Sequence, residues 1–286
     1  MRSESGADPG ASSVLRRLRG AWRLLCATLH VLRGVLVVAT RFSRIDAAAR
    51  MRHVQRWSAR FLQLLGVGLV VQGTPRPGAK LLVANHISWL DILAIDAVAP
   101  SRFVSKSEVR HWPVLGWLVS ASGTLYIERA RPRDALRVVH QIAESLQAGE
   151  TVAVFPEGTT GAGPVLLPFH ANLLQAAVAT ATPIQPAVLR FADAAQRFSP
   201  AVAFVGDTTL LQSLWRVATA RGLVAHVDLL MPQASAHADR RHLAETLRAQ
   251  MAACLTPDLP PDLPPEPSPD LSPAAAATAA AVAFRD

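Results

Sequence analysis

The sequence predicts an α/β protein with a mixed sheet flanked by helices, preceded by two amino-terminal helices. After Gly66, short apolar runs alternate with stretches of helical periodicity, the pattern of strands and helices that share one sheet. Before Gly66, apolar residues recur every three or four positions, which is typical of amphipathic helices. At 286 residues and 50% hydrophobic, the chain is long enough to bury one full core. We therefore expect one main domain with appendages.

The first predicted helix runs from Val14 to Arg44 and carries two opposite stripes. The polar stripe consists of Arg16, Arg19, Arg23, His30, Arg33, Arg41 and Arg44, and the apolar stripe of Leu15, Leu18, Trp22, Leu25, Leu29, Leu32 and Leu36. Its most apolar part, Leu24–Thr40, has 17 residues and includes His30 and Arg33. A spanning helix needs about 20 mostly apolar residues. We expect a helix that lies in the membrane interface instead of crossing the bilayer.

The positive charge of the chain is concentrated in this part. Met1–Arg60 holds 12 basic and 3 acidic residues, whereas the remainder holds 17 and 18. The residues between the arginines are apolar, which favours an anionic bilayer surface, and not nucleic acid, as the partner. Positive charge on both flanks of the helix predicts that both ends stay cytoplasmic. We expect the arginines to bind anionic lipid at the cytoplasmic face of the membrane.

A second amphipathic helix is predicted to begin after Asp46, a suitable cap, and to end at Gly66. Its apolar positions are Met51, Val54, Trp57, Phe61 and Leu65. An alternative interpretation is that the two helices form a hairpin packed on the core as a scaffold. The division of the chain is then a flexible segment 1–13, the helices 14–66, the α/β domain 67–256 and a Pro- and Ala-rich disordered tail 257–286.

The domain is predicted to contain eight strands and five helices. The strands are 69–72, 81–84, 102–105, 124–127, 151–155, 184–189, 202–205 and 224–230, and the helices are 90–98, 133–147, 173–180, 210–220 and 237–254. Polar side chains that follow strand ends are where such sheets place their sites. His86, Arg129 and Glu157 all stand there.

The candidate catalytic pair is His86 and Asp91, at the end of an apolar strand. A carboxylate can hold a histidine in one tautomer, and the histidine then serves as a general base. A five-residue offset puts two side chains about 140° apart on a helix and on opposite faces of a strand. The segment must therefore bend, with His86 on the strand-to-helix turn and Asp91 just inside the helix. The second candidate loop, Phe155–Thr160, offers a carboxylate, a glycine and two hydroxyls.

Four ordered blocks resemble the glycerolipid acyltransferase family, whose best-known members are the 1-acylglycerol-3-phosphate acyltransferases. The blocks are His86 with Asp91, Gly123–Arg129, Phe155–Thr160 and Pro183–Pro186. The resemblance implies transfer of a fatty acyl group from acyl-CoA or acyl-carrier-protein to a lysolipid hydroxyl, without a cofactor. It also implies that the two amino-terminal helices are a membrane-docking element. Acceptor-binding positions carried over from the family are Lys106, Arg129, Glu157, Gly158 and Thr159.

The acceptor stays open between two classes. Many relatives have an arginine or serine pair after Thr159 and a lysine-rich stretch before the next helix, whereas this chain has Thr160–Gly163 and Leu167–Asn172. Fewer cations weaken the case for a phosphate and make a lyso-ornithine lipid the alternative to 1-acylglycerol-3-phosphate. A non-catalytic membrane-binding relative is a second alternative. A serine hydrolase is disfavoured because no Gly-x-Ser-x-Gly elbow occurs, and with only two cysteines no zinc site or disulfide is expected.

Overall fold

The computed structural model describes residues 9–127 and 132–255. It begins with two helices, α1 (Pro9–Arg41) and α2 (Ala47–Leu65), joined by a 3₁₀ turn. Asp46 caps α2 as predicted, because its Oδ1 accepts the N–H of Ala49 at 2.6 Å. Gly66 ends the helix with a φ of +77°, a left-handed conformation that glycine adopts without strain. The predicted start of α1 at Val14 is wrong, since the helix already begins at Pro9.

Seven strands form one mixed sheet, which confirms the predicted fold class. They are β1 (Gly68–Gln72), β2 (Lys80–Ala84), β3 (Arg102–Lys106), β4 (Leu125–Ile127), β5 (Thr151–Val154), β6 (Ile184–Ala192) and β7 (Val224–Leu229). Their order across the sheet is β1-β7-β6-β2-β5-β3-β4. Every neighbouring pair is parallel except β6 and β7. The central strand β2 is buried along its whole length, as a sheet covered on both faces requires.

Six further helices cover the sheet. They are α3 (Leu90–Val98), α4 (Leu115–Ala121), α5 (Pro132–Gln147), α6 (Gln175–Thr180), α7 (Leu210–Thr219) and α8 (Arg240–Leu255). Two hydrophobic clusters lie on opposite sides of the sheet. One joins the sheet to α1, α2, α3 and α7, and we call these four helices the first layer. The other joins it to α5, α6 and α8, the second layer.

Three sequence predictions differ from the structure. Residues 202–205 form turns and not a strand: Val202 is fully buried, but the segment packs on the loop after β2, with Phe204 N donating to Ile87 O at 3.4 Å. The short helix α4 was not predicted. The last helix begins at Arg240 instead of residue 237, because His237 is left-handed and Asp239 accepts the first free N–H groups of the helix.

Helix α1 packs on the protein through the middle of its polar stripe, whereas Arg16, Arg33, Arg41 and Arg44 of that stripe are exposed. The Arg23 guanidinium donates to the carbonyls of Ala218 and Ala220 at the end of α7, both at 3.0 Å. His30 is buried and stacks on Trp57 of α2 with ring centroids 5.2 Å apart. Of the arginines predicted to bind lipid, Arg23 is thus held by the end of α7, and lipid binding by the others stays a prediction. The opposite, apolar stripe of α1 is more than half exposed at every position (Leu15, Leu18, Trp22, Leu25, Leu29, Leu32 and Leu36).

Candidate active site

His86 and Asp91 meet across the turn between β2 and α3. The Nδ1 atom of His86 lies 2.8 Å from Oδ2 of Asp91, although the residues are five positions apart. The backbone bends at Ile87 and Ser88, as the offset predicts. Because the carboxylate accepts the Nδ1 proton, Nε2 is left with a lone pair that can take a proton from a substrate. About a fifth of the His86 side chain is exposed, whereas Asp91 is fully buried.

The Asp91 carboxylate also shapes the turn itself. Its Oδ2 accepts the backbone N–H groups of Ile87 at 2.6 Å and Ser88 at 2.8 Å, in addition to the imidazole. These donors lie at the amino end of α3, where the helix dipole favours negative charge. The other oxygen, Oδ1, is buried without a hydrogen-bond partner in the described part of the chain. The carboxylate therefore depends on the three donors at Oδ2, which hold it against His86.

The parallel pairing of β2 and β5 brings the second candidate loop to the histidine. Val83 lies opposite Val154, so the segments that follow the two strands leave the sheet side by side. The ring of Phe155 stacks on the ring of His86, with centroids 4.0 Å apart and planes within 14°. The phenyl ring covers one face of the imidazole and thereby limits its rotation.

Glu157 is an internal partner of the histidine backbone. Its Oε1 accepts the N–H of His86 at 2.7 Å, and its Oε2 accepts the N–H of Leu167 at 2.8 Å. Burial raises the pKa of this carboxyl, and the two N–H groups oppose that rise. Contact with the acceptor stays a prediction for Glu157. The two hydrogen bonds of the Glu157 carboxylate connect the backbone of His86 to both ends of the loop 157–167.

The loop between Gly158 and Gly161 wraps around the catalytic turn. Gly158 has a φ of +71°, which favours glycine, and a Cβ there would lie 3.3 Å from Cδ2 of His170. Gly161 N donates to the carbonyl of His86 at 2.7 Å. Thr160 Oγ1 donates to the carbonyl of Phe204 at 2.5 Å. The Thr160 hydroxyl and the Gly161 N–H thus both donate hydrogen bonds within the chain.

A cavity of about 2580 Å³ opens beside His86. This volume exceeds the roughly 300–1,000 Å³ of a pocket for a small ligand, and it suits long acyl chains. Its walls come mainly from the first layer and from α4, and its apolar lining includes Val31, Trp57, Phe61, Trp89, Ile92, Leu93, Leu118, Leu210 and Leu214. Polar residues that line the cavity together with His86 include Lys106, Glu157, Thr159, His170 and Asn172. A molecule with one polar and one long apolar part matches this lining.

Known proteins are similar to this chain in sequence, in fold or in both. A family model described as Acyltransferase matches residues 70–190. The chain is 35% identical over 212 residues to a 1-acyl-sn-glycerol-3-phosphate acyltransferase of Neisseria meningitidis, covering 71% of this chain and 82% of that protein. The chain belongs to the acyltransferase family.

Relatives of this acyltransferase carry two different acceptor names. A lyso-ornithine lipid O-acyltransferase of Pseudomonas aeruginosa is 37% identical over 206 residues, covering 72% of this chain and 78% of that protein. A crystal structure of the 1-acyl-sn-glycerophosphate (LPA) acyltransferase PlsC from Thermotoga maritima has the same fold, with a TM-score of 0.65 at 21% identity. The match covers 86% of this chain and 96% of that one.

The other predicted acceptor-binding residues of the acyltransferase lie at the cavity or outside the described residues. Lys106 is exposed at the end of β3, and Thr159 is exposed on the loop; both border the cavity. Arg129 falls in the gap between residues 127 and 132, outside the described residues. Within residues 9–127 and 132–255, no group of three or more His, Cys, Asp or Glu side chains could hold a metal ion.

Two residues that support the site were not assigned their contacts from the sequence. The side chain of Asn85 exchanges two hydrogen bonds with the backbone of Leu189 on β6, at 2.7 and 3.0 Å. Phe155 was placed at the end of a strand, and its stacking on His86 was not foreseen. Both contacts depend on strand pairing, that of β2 with β6 for Asn85 and that of β2 with β5 for Phe155, and the apolar runs alone do not show which strands are neighbours.

Proposed function

We propose that this acyltransferase transfers a fatty acyl group from a thioester to the free hydroxyl of a lysolipid, with His86 as general base. The observation that carries the proposal is the 2.8 Å contact between His86 Nδ1 and Asp91 Oδ2, beside an apolar cavity. Nε2 takes the hydroxyl proton while the oxygen attacks the thioester carbonyl. Asp91 stabilises the imidazolium that forms.

The second half of the step returns the proton. As the tetrahedral intermediate collapses, the C–S bond breaks, and the leaving thiolate takes the proton from the imidazolium. The products are an ester and a free thiol, either coenzyme A or acyl-carrier-protein. Every step uses acid–base chemistry that His86 and Asp91 supply, so we propose that the reaction needs no metal or organic cofactor. Activity that is unchanged after treatment with a chelator is the expected result.

The acceptor we propose is 1-acylglycerol-3-phosphate, which would give phosphatidic acid. The relative from Neisseria meningitidis is named for this acceptor. In this proposal Lys106, together with Arg129, binds the phosphate, because cations at the polar end of the cavity complement its charge. Thr159 and the backbone at Gly158, which also border the cavity, would contact the headgroup as well.

A lyso-ornithine lipid is the second candidate acceptor. A relative with that name is 37% identical to this chain. Positions 160 and 161, where many relatives carry an arginine or serine pair, hold Thr160 and Gly161, which bond to Phe204 and His86 inside the chain. Neither position supplies a cation to a phosphate.

The acceptor is tested by incubating purified protein in detergent with a labelled acyl thioester and a panel of lysolipids. We expect labelled phosphatidic acid from lysophosphatidic acid, with His86→Ala as the inactive control. Product from lyso-ornithine lipid alone would overturn the first candidate in favour of the second. Parallel reactions with acyl-CoA and acyl-carrier-protein identify the donor.

We propose further that α1 lies in the interface at the cytoplasmic face of an anionic membrane. By length and composition the helix Ser13–Arg44 is able to cross a bilayer. However, a Cβ on Gly20 would lie 2.5 Å from Thr219 of α7, and one on Gly34 would lie 2.7 Å from Trp57 of α2. Between Gly20 and Gly34, which are about 21 Å apart at about 1.5 Å per residue, α1 is held against α7 and α2. The exposed apolar stripe then enters the lipid along the helix.

A further inference from the structure

Helix α8 holds the loop 157–167 through one arginine. Arg248 Nε donates to the carbonyl of Leu167 at 3.0 Å, and its Nη2 donates to the carbonyl of Leu166 at 2.8 Å. The N–H donors of a guanidinium form a fixed, planar fork, which lets a single side chain bond to two consecutive carbonyls. The Leu166 side chain is buried in the hydrophobic cluster of the second layer. The loop is therefore fastened to α8 by both polar and apolar contacts.

The loop needs such a partner because it has no regular structure of its own. No residue from 155 to 170 belongs to a helix or strand, and Pro164 and Pro168 have no backbone N–H to donate. Buried carbonyls in such a segment depend on donors from elsewhere in the chain. Among residues 9–127 and 132–255, Arg248 forms no ion pair with a carboxylate. The hydrogen bonds of its guanidinium in that part of the chain go to the loop instead.

The contact of Arg248 with the loop continues to His86 through one peptide group. The carbonyl of Leu166 and the N–H of Leu167 belong to the same peptide plane. That carbonyl accepts from the Arg248 guanidinium, while the N–H donates to Glu157 Oε2 at 2.8 Å. A cation at the carbonyl polarises the peptide group and strengthens its N–H as a donor. Glu157 Oε1 accepts the N–H of His86 at 2.7 Å, so three hydrogen bonds in series connect Arg248 to the catalytic turn.

We infer that Arg248 is a positioning residue for His86, acting through this peptide group and the Glu157 carboxylate. The inference rests on the proposed function, in which His86 is the general base. Arg248 does not line the cavity in the described part of the chain, so we expect it to contact neither substrate. Without its guanidinium, the peptide group loses its fixed orientation and Glu157 loses a donor. The backbone of His86 is then held less firmly.

Substitutions at Arg248 test the inference on purified protein in detergent micelles. The assay uses a labelled acyl thioester with lysophosphatidic acid or lyso-ornithine lipid, whichever the parent acylates. Arg248→Met leaves both loop carbonyls without this donor, so kcat should fall about tenfold, the size expected for one lost buried hydrogen bond. Arg248→Lys keeps a cationic donor and should recover most of that loss. Arg241→Met removes an exposed cation from the same helix and, as the matched control, should keep the parent kcat.

A double-mutant cycle with Glu157→Gln separates positioning from a general structural effect. The new amide takes one of the two N–H groups that the carboxylate accepts, which breaks the series at one end. If Arg248 acts through Glu157, adding Arg248→Met to Glu157→Gln should lower kcat by less than about twofold further. Independent effects would multiply to a further loss of about tenfold, which would contradict the inference. If Arg248→Met does not fold, Arg248→Gln, which keeps a donor for one carbonyl, takes its place, and its loss of kcat should likewise disappear beside Glu157→Gln.

The remaining outcomes distinguish this inference from the proposed function. Parent-level kcat in Arg248→Met, while His86→Ala is inactive, overturns the positioning role and leaves the general base standing. A higher acceptor KM with unchanged kcat also overturns it, because the loop would then serve acceptor binding alone. An equal loss of kcat in Arg241→Met would trace the effect to charge and contradict the inference. Parent-level transfer by His86→Ala overturns the proposed function, and this inference with it.

Discussion

The catalytic turn and the outer surface of the first layer are built in opposite ways. In the turn, Asp91 Oδ2 accepts three hydrogen bonds, and Glu157 accepts two more from His86 and Leu167. On the outer surface of α1, the seven side chains of the apolar stripe are more than half exposed and are covered by nothing in the described part of the chain. The hydrogen-bond donors of the turn come from within the chain, whereas the apolar surface of α1 is left exposed.

The contrast predicts that acyl transfer and membrane binding can be lost independently of each other. A change at the turn should remove acyl transfer and leave vesicle binding intact. A change on the outer surface should do the reverse when transfer is measured in detergent. Each prediction below either breaks this separation or makes it sharper.

The largest expected effect is that of His86→Ala. Loss of the general base should lower kcat by a factor near the upper end of the roughly 10²–10⁴-fold range of such catalysis. No other group in the described turn replaces Nε2 as acceptor of the hydroxyl proton. Steady-state transfer in detergent micelles measures the loss. Vesicle cosedimentation of the same preparation should match that of the parent. Parent-level transfer by a folded His86→Ala protein would contradict the proposed role.

The next effect is on membrane binding. Replacing Leu18, Leu25 and Leu29 with glutamine removes three exposed side chains that each contribute about 1.5 kcal/mol or more on burial in lipid. The partition coefficient should fall by roughly 10³-fold, while transfer in micelles stays at the parent level. Cosedimentation with anionic vesicles measures the change, and Leu136→Gln in the second layer is the control. Unchanged cosedimentation would show that α1 is not the lipid contact.

A smaller effect is expected for Glu157→Gln. The amide oxygen of the glutamine can accept the N–H of His86 or of Leu167. Its NH₂ group then faces the other N–H, and that donor is left without an acceptor. Loss of one such buried bond costs about 1–3 kcal/mol, so kcat should fall by roughly 10–100-fold. Vesicle binding should not change. If the KM for the acceptor rises while kcat is unaffected, Glu157 acts in acceptor binding instead of fixing His86.

The smallest effect concerns Asp96, which shares α3 with Asp91 but, within residues 9–127 and 132–255, accepts a hydrogen bond only from Ser101 N. Burial raises its pKa to about 8. The neutral folded form contributes stability that is complete below about pH 4 and is lost as the pH rises through about 8. Asp96→Asn should therefore exceed the parent in thermal unfolding temperature at pH 8, with a smaller difference at pH 5. A difference independent of pH would contradict the assignment.

Much of the site followed from the sequence because it depends on local geometry. The bend between His86 and Asp91 is forced by their five-residue offset, and Asp46 and Gly66 mark the ends of α2 by their own chemistry. The stacking of Phe155 on His86 did not follow, since it depends on which strands are neighbours. Strand order is set by packing over the whole sheet.

The periodicity of the sequence also did not predict the orientation of α1 on the domain. The two stripes were evident, but periodicity does not show which one faces the domain. Gly20 and Gly34 allow close packing on the polar side, and Arg23 finds the free carbonyls at the end of α7 there. The apolar run at 202–205 was misassigned as a strand for a similar reason, because an apolar segment can be buried in a turn as well as in a sheet.

The most direct test of the separation uses His86→Ala and the Leu18, Leu25 and Leu29 triple variant side by side. Acyl transfer in micelles and binding to anionic vesicles are measured on the same preparations. We predict that the first variant binds and does not transfer, and that the second transfers and does not bind. Transfer at the parent rate without the His86 imidazole, in a protein of native unfolding temperature, would contradict the central claim.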